Sequence, residues 1–310
     1  MSDRTRVTQS MMTALISCEE KMRLRYLERF KTPTTTALGV GSAVHLGFEL
    51  QSADAAVEFL ENETGAIWMD FERQKLATEC SVVRSMVEGG LRLWEKWPSR
   101  HEVEFRVPFR NPETGRPSLR HDFAGKIDGV FLPGELDGNE VPVLMEIKTT
   151  SRLDSTYLER LDLDWQVSAY LAAASDLFGV PVRKMLYRVI RKPSIRPKKK
   201  VKLADGSTGP ESIAAYAERL ADDYATRPEF YFEEVLLVRT DDQIERWMHE
   251  AWEAHLRILR IENGGMTIRN ARHCLDYGRC PFFDLCRGVV GPSAFSVRED
   301  IHPELEGTNP

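Results

Sequence analysis

The sequence contains no uninterrupted apolar run that approaches the roughly 20 residues needed to cross a bilayer. Its first residues, MSDRTRVTQS, are polar and lack the apolar core of a secretory signal. Both absences argue against a membrane-bound or exported protein. We therefore expect a protein that works in the cytoplasm and makes no contact with a membrane.

Net positive charge is also lacking, because 42 basic residues are outnumbered by 48 acidic ones and the formal net charge is -6. Such a balance argues against a protein that coats nucleic acid without specificity. Basic residues nevertheless crowd into one short stretch, 188–202. A solvated charged loop explains such a run by itself, so its meaning depends on the rest of the chain.

Cysteine is scarce, and the odd count of five argues against a disulfide framework in a cytoplasmic chain. Three cysteines, Cys274, Cys280 and Cys286, nevertheless crowd into one segment near the C-terminus. Free buried thiols are not expected in so polar a segment, so this trio needs another explanation. Cys80 lies in a helical pattern, where we expect a small core residue.

Hydrophobic periodicity gives a helical first third and a middle that contains strands. Helical patterns cover 8–30, a segment from 41 onward, 68–97, 161–178, 211–224 and 241–261. Alternation of apolar and polar residues predicts strands at 103–109, 121–132, 141–149, 184–190 and 230–238. This order indicates an α/β core with a helical N-terminal elaboration.

We interpret residues 1–310 as a single domain with four parts. The first part is helical and the second is the α/β core. A cysteine-rich segment and a short tail follow. The predicted bounds of the four parts are 8–97, 101–262, 263–290 and 291–310.

Two carboxylates and a lysine form the most informative pattern of the sequence. Glu146 and Lys148 are two residues apart on a predicted strand, so they project from the same face. Asp128, in the segment Gly-Lys-Ile-Asp-Gly, lies on the neighbouring predicted strand. Hard divalent cations prefer oxygen ligands, and an ammonium group can stabilise developing negative charge. The set fits phosphodiester hydrolysis; a surface ion pair on an edge strand is the alternative.

The helix that follows carries Gln166 and Tyr170, which are four residues apart and therefore on one face. Both side chains can hydrogen-bond a phosphate or hold Lys148 in place. The alternative is that Tyr170 is half-buried in the core and Gln166 is solvated.

Taken in order, Asp128, Glu146-x-Lys148 and Gln166-x-x-x-Tyr170 resemble the PD-(D/E)XK nuclease superfamily in its RecB-like branch. That branch also carries a histidine on an N-terminal helix, and Gly41-Ser-Ala-Val-His45 matches its context. The resemblance spans roughly residues 10 to 290, and it is specific as an ordered set although each piece alone is weak.

The resemblance implies a restriction-endonuclease-like core, with a central mixed β-sheet flanked by helices, that works with Mg²⁺ or Mn²⁺. It implies that Asp128, Glu146, Lys148, Gln166 and Tyr170 are catalytic. The implied metal ligands are His45, Asp128, Glu146 and the backbone carbonyl of Ile147. Glu104 resembles an acidic position upstream of the aspartate in this family, although a rim glutamate on an amphipathic strand is the ordinary alternative.

Several RecB-like nucleases bind a [4Fe–4S] cluster with three C-terminal cysteines and one far upstream. Cys274, Cys280, Cys286 and Cys18 resemble that set, which would tie the two ends of the chain together as a structural staple. The first gap here is five residues, whereas the familiar pattern has two. Structural Zn²⁺, with His273 in place of Cys18, is the alternative.

The leading hypothesis is a metal-dependent DNA exonuclease that acts on ends or single strands, in phage recombination, repair or CRISPR adaptation. Recombination or repair proteins would then be its partners. The basic stretch would follow the DNA backbone. A noncatalytic DNA-binding or assembly subunit that keeps the nuclease fold is the second hypothesis, and a zinc-stabilised DNA-binding module is the third. The predicted DNA-binding residues are Arg191, Lys192, Lys198, Lys199 and Lys200.

Overall fold

A computed structural model describes residues 4–32, 36–64, 69–202, 206–276, 278–302 and 305. It confirms the predicted α/β class, with a central mixed sheet flanked by helices. None of its helices combines the length and the apolar character that a bilayer crossing requires.

The central sheet has six strands, and a separate two-stranded hairpin, β6 and β7, lies outside it. In the sheet, β3 pairs in parallel with β1 and antiparallel with β2 and β4, and β5 pairs in parallel with β4 and antiparallel with β8. The strands are β1 Thr5–Thr8, β2 Arg100–Arg110, β3 Pro117–Phe131, β4 Val143–Thr150, β5 Lys184–Arg191, β6 Val201–Lys202, β7 Thr208–Gly209 and β8 Phe232–Val238.

One edge of β3 changes partner halfway along the strand. Residues 121–124 of β3 pair with β1, and residues 129–131 pair with β4. On the opposite edge, β2 accompanies β3 through the intervening residues. Within the described chain, residues 125–128 therefore have no strand on the edge that β1 and β4 share. This interruption leaves backbone and side chains at the centre of the sheet open to other partners.

Helices cover both faces of the sheet and enclose two apolar cores. One face packs against α1, α7 and α10, and the other against α3, α4, α5 and α8. The helices are α1 Gln9–Ser17, α2 Glu19–Met22, α3 Thr36–Glu49, α4 Ala53–Thr64, α5 Asp70–Leu93, α6 Ser155–Leu161, α7 Trp165–Phe178, α8 Ile213–Thr226, α9 Pro228–Tyr231, α10 Asp241–Glu262 and α11 Phe283–Cys286.

The predicted helix over 8–30 is interrupted, which is a correction to the sequence analysis. Thr8 caps α1, and Cys18 then adopts an extended conformation, with φ -168° and ψ 116°. After α2, a π-helical turn covers Arg23–Leu27. Helical periodicity reports only local sequence and did not reveal this break. Glu19, just beyond the break, accepts hydrogen bonds from the distant Arg257.

The last part of the chain is irregular, as predicted, and it crosses the N-terminal helices. Short 3-10 turns cover Ala271–Cys274 and Pro292–Ala294. Backbone hydrogen bonds of 2.8 Å join the Lys31 amide to Ser296 and the Arg298 amide to Arg29. The two ends of the described chain are thereby fastened to each other. Of the predicted tail, residues 303–304 and 306–310 lie outside the described residues, and so does the predicted start of the third helix at 68.

Candidate active site

The interruption of β3 positions Asp128. The ladder between β3 and β4 stops at the pair Gly129–Met145. Two residues further along β4, the amide of Ile147 donates a 2.8 Å hydrogen bond to the Asp128 carboxylate rather than to a strand backbone. Asp128 is therefore held against β4 at the point where the two strands separate.

Gly125 is needed at this interruption for a steric reason. A Cβ atom added to it would lie 2.5 Å from the ring of Phe105 on β2, which is closer than side chains pack. The glycine therefore lets Phe105 pack under the interrupted segment, where its ring also meets the edge of Tyr170. Apolar packing thus fixes the backbone that presents Asp128.

Glu146 and Lys148 project from the same face of β4, as the sequence predicted, whereas Val143, Met145 and Ile147 pack into the opposite core. Glu146 is only 1% exposed. One carboxylate oxygen, Oε1, accepts a 2.7 Å hydrogen bond from Gln166 and pairs with the Lys148 ammonium. The other, Oε2, is buried and has no hydrogen-bond partner among the described residues. A buried carboxylate oxygen without a donor is costly unless a ligand supplies one.

The electrostatics of the site favour an added cation. Burial raises the pKa of Glu146 to about 7, and the nearby Asp128 carboxylate adds to that effect. Burial opposes the charge of Lys148, but Glu146 and Asp128 outweigh it and raise the pKa of this ammonium. Burial also opposes the charge of Asp128, yet His45 and Lys148 hold its pKa below the ordinary value. A bound cation would relieve the repulsion between the two carboxylates.

His45 reaches the site from helix α3. Its Nδ1 atom lies 3.4 Å from the Asp128 carboxylate, which raises the pKa of the imidazole against the effect of burial. The position of α3 depends on Gly47, where an added Cβ would lie 2.7 Å from Val87 and 2.8 Å from Ala56. Close packing of α3 on its neighbouring helices therefore brings His45 over the sheet.

Glu102 completes the ligand group, and sequence reasoning missed it. One ligand atom from each of His45, Glu102 and Asp128 lies within 4.8 Å of the others. Glu102 has a φ of 50°, pairs with Lys126 at 2.5 Å, and its pKa is raised by burial. Glu104, for which the sequence offered the family resemblance, is exposed and lies outside the groove lining.

The remaining predicted residues of the site also lie together. Gln166 and Tyr170 extend from α7 over the Glu146 side chain, and Tyr170 is 8% exposed. Burial raises the pKa of the Tyr170 phenol, so this hydroxyl stays protonated and can donate a hydrogen bond. The Ile147 amide donates a hydrogen bond to Asp128. That the Ile147 carbonyl is a metal ligand stays a prediction.

A groove of about 1340 Å³ opens onto these residues, which exceeds the roughly 300–1,000 Å³ of small-molecule pockets. Its floor contains Asp128, Glu146 and Lys148. One wall is formed by the N-terminal helices and the other by α3. The dimensions suit a polymer rather than a small metabolite.

The predicted DNA-binding stretch contributes little to this groove. Among its five predicted residues, only Lys192 lines the groove. The guanidinium of Arg191 lies 4.1 Å from the Phe230 ring centroid and donates to the Leu153 carbonyl. The three consecutive lysines, 198–200, are exposed on a loop outside the lining.

The fold brings Cys18 to the cysteine-rich segment, as the predicted staple requires. The Asn270 amide donates to the Cys18 sulfur at 3.4 Å, and the Cys274 thiol lies 3.7 Å from the Asn270 carbonyl. Cys280 and Cys286 pack against a small apolar cluster around Phe282. In the described part of the chain, no three thiols approach within 4.8 Å of one another. Cys80 is buried in a core, as predicted.

Comparisons with known proteins agree with the geometry. The family model of the PD-(D/E)XK nuclease superfamily matches residues 6–287. A solved structure from Eubacterium rectale, provisionally named an exonuclease, aligns with a TM-score of 0.51 and 14% identity over 95% of this chain and 91% of that chain, which shows the fold alone. The structure of SSO0001 aligns at 16% identity over 73% of this chain and 78% of that one, and its TM-score of 0.27 carries no argument. No curated protein matches.

Proposed function

This chain belongs to the PD-(D/E)XK nuclease superfamily, and from that premise we propose that it is a metal-dependent deoxyribonuclease that degrades DNA from ends or as single strands. One observation carries the metal dependence. Glu146 is buried at the floor of a groove, and its Oε2 atom has no donor among the described residues. A divalent cation is the ligand that this oxygen lacks.

The residues present fit such an ion. His45, Glu102 and Asp128 can converge on one position, and Glu146, which lines the same groove, adds a partnerless carboxylate oxygen. Carboxylate oxygens and water suit Mg²⁺ and Mn²⁺. The bound ion would supply polarisation of the scissile phosphate and a water of lowered pKa.

The side chains around the ion have separate tasks. Gln166 and Lys148 both bind Oε1 of Glu146, so they orient the carboxylate and leave Oε2 directed elsewhere. The Lys148 ammonium, with a side chain 34% exposed, can also stabilise negative charge that develops on the phosphate. The Tyr170 hydroxyl can donate to a phosphate oxygen.

Cleavage of end-labelled DNA tests this proposal. Single- and double-stranded substrates, labelled at either the 5′ or the 3′ end, are incubated with Mg²⁺, Mn²⁺ or EDTA. We expect divalent-dependent release of short products from DNA ends. Intact circular single strands test whether an end is required. DNA binding without any cleavage would instead indicate a noncatalytic subunit.

Lys148→Ala and Lys148→Gln are the informative variants. Glutamine keeps a hydrogen-bond donor for the buried Glu146 but carries no charge. We expect each variant to lose about 100- to 1,000-fold in cleavage rate, because a charge that stabilises the transition state is gone. Lys184→Ala is the matched control, since this lysine pairs with Asn139 away from the groove. Thermal melts establish that all variants are folded.

We also propose that Cys18, Cys274, Cys280 and Cys286 hold a [4Fe–4S] cluster as a staple between the chain ends. The contacts of Cys18 and Cys274 with Asn270 support this proposal. Structural zinc would draw its thiolates to about 4 Å from one another, and His273 is already paired with Asp276 at 2.6 Å. Protein purified without oxygen should be brown and contain iron. Colourless protein that contains zinc would contradict the cluster.

Two broader parts of the proposal rest on the sequence. We propose that the protein acts in the cytoplasm, and recombination or repair proteins are the partners we expect for a DNA exonuclease.

A further inference from the structure

The N-terminal wall of the groove carries a row of polar side chains at four-residue spacing. Thr13 and Ser17 on α1 are followed by Lys21 on α2 and Arg25 in the π-helical turn, and all four line the groove. The row continues across the extended residue Cys18, which separates α1 from α2. The hydroxyl groups lie at one end of this row and the two cations at the other.

The π-helical turn helps to keep Arg25 on this wall. In an α-helix, each step of four residues advances about 40° beyond a full turn, so a four-residue row rotates away from its starting face. The Glu28 amide bonds to the Arg23 carbonyl at 2.9 Å, which is the wider i to i+5 closure. This wider turn offsets the rotation. Insertions of this kind are frequently found at functional sites.

Lys21 and Arg25 differ from the cation between them. Arg23 forms ion pairs with Glu20 at 2.8 Å and with Glu28 at 2.6 Å. In the described residues, neither Lys21 nor Arg25 has an acidic partner, and the Nε atom of Arg25 is buried without any hydrogen-bond acceptor. The Arg25 guanidinium lies 5.5 Å from the centroid of the Tyr26 ring, a contact that leaves its charge, like that of Lys21, without an acidic group to neutralise it in the described residues.

The opposite wall carries the other sign of charge. Glu49 on α3 and Glu63 on α4 both line the groove. A polyanion in the groove would be repelled by that side and attracted to the N-terminal wall. This contrast favours the N-terminal wall as the path of a phosphate backbone, and Lys192 is a further cation of the groove lining.

We propose that Lys21 and Arg25 bind successive phosphates of a single DNA strand outside the scissile bond and lead it to the catalytic floor. This inference rests on the proposed nuclease function and names the surface that holds its substrate. Glu146 is 1% exposed between helical walls, so a strand separated from its complement reaches it more readily than a duplex. Lys21 and Arg25 follow each other along one wall of the groove, an order that suits successive phosphates of one strand.

The test measures the salt dependence of binding to a fluorescent oligothymidylate in EDTA, where binding is separated from metal-dependent cleavage. Each phosphate contact contributes about 0.7 to the slope of log affinity against log salt for single strands. Lys21→Gln/Arg25→Gln should therefore lower the slope by about 1.4 and weaken binding about tenfold at low salt. Lys21→Arg/Arg25→Lys, which keeps both charges, should retain the slope.

Arg116→Gln/Arg120→Gln is the matched control. It removes two exposed cations that lie outside the groove lining, so the slope should not change. An unchanged slope in Lys21→Gln/Arg25→Gln, or an equal loss in the control, would overturn the inference. If the double variant unfolds, Lys21→Gln alone should lower the slope by about 0.7, and no change there would overturn it equally.

Cleavage by the same preparations separates this inference from the proposed function. If the wild type cleaves DNA and the double variant keeps the wild-type salt slope, only the inference about Lys21 and Arg25 is contradicted. If the double variant lowers the salt slope but the wild type does not cleave DNA, only the proposed nuclease activity is contradicted. If both proposals are correct, the double variant should raise KM with little change in kcat. The reason is that these phosphate contacts bind the substrate and the transition state equally well.

Discussion

Two basic sites of this molecule, Arg188 on β5 and the pair Lys21 and Arg25 on the N-terminal wall, differ in whether their charges are already neutralised. The Arg188 side chain is 2% exposed and pairs with Glu234, and its guanidinium contacts the rings of both Trp94 and Trp97. On the N-terminal wall, Lys21 and Arg25 have no acidic partner in the described residues and face the groove. The comparison teaches that the density of charge along a sequence does not measure the charge available to a ligand. Whether a basic side chain can bind a ligand depends on whether an acidic side chain already pairs with it.

The largest expected effect concerns the neutralised side of this comparison. Arg188→Ala should lower the free energy of unfolding by about 3 kcal/mol, because a fully buried side chain leaves a cavity beside two indole rings and the Lys96 carbonyl loses its donor. Urea denaturation measures this loss, with the exposed Arg196→Ala as the control. The salt slope of DNA binding by the folded variant should not change. A changed slope would show that Arg188 serves the substrate after all.

The second prediction compares two glutamates on one strand. Glu102→Gln should reduce cleavage about 100-fold, because it removes a charged ligand from the group formed with His45 and Asp128. Glu104→Gln should change cleavage less than about twofold, since surface substitutions away from special sites have small effects. Initial rates at saturating Mg²⁺ measure both. Equal losses, or a larger loss for Glu104, would contradict Glu102 as the ligand and support the family resemblance of Glu104.

The sequence was sufficient for residues whose geometry follows from strand alternation. Glu146 and Lys148 share a face because they are two apart on β4, and Gln166 and Tyr170 share one because they are four apart on α7. Glu102 was out of reach because its φ of 50° breaks the regular alternation on which such reasoning depends.

Strand β1 and the π-helical turn were not predicted, because neither has a clear local pattern in the sequence. Strand β1 has only four residues, too few to show an alternating pattern. The π-helical turn at Arg23–Leu27 is followed by Phe30, whose stacking on the distant Phe295 is a tertiary contact that local sequence does not reveal. Neighbouring charges in the sequence likewise gave no indication that Arg23 is paired while Lys21 and Arg25 are not.

The third prediction extends the comparison of paired and unpaired cations to His255, a buried side chain that stays neutral. His255 is 1% exposed and hydrogen-bonds Ser118 at 3.0 Å, and burial lowers its pKa to about 4. The unfolded chain binds this proton near pH 6.5. Stability is therefore lost as the pH falls from about 6.5 towards 4, by about 2 kcal/mol at pH 5.

Urea denaturation between pH 7 and pH 5 measures this effect. His255→Gln should show a smaller loss of stability over that range than the wild type, because the titrating group is gone. His249→Gln, at an exposed position of the same helix, should retain the wild-type dependence. Equal pH dependence in all three proteins would contradict the assignment to His255.

The smallest expected effect concerns the exposed loop of the basic stretch. Replacing Lys198, Lys199 and Lys200 by glutamine should change KM for single-stranded DNA less than about threefold, because this loop lies outside the groove and its charges are screened by salt. Lys192→Gln should have the larger effect, since this side chain lines the groove. The reverse order would favour the loop as the DNA path.

Binding of Mn²⁺, followed by calorimetry in the absence of DNA, tests the central claim most directly. The wild type should bind Mn²⁺, and Asp128→Asn should weaken that binding at least about tenfold, while Glu104→Gln should leave it unchanged. Mn²⁺ affinity that is the same in wild type and Asp128→Asn would contradict a cation held where β3 and β4 separate.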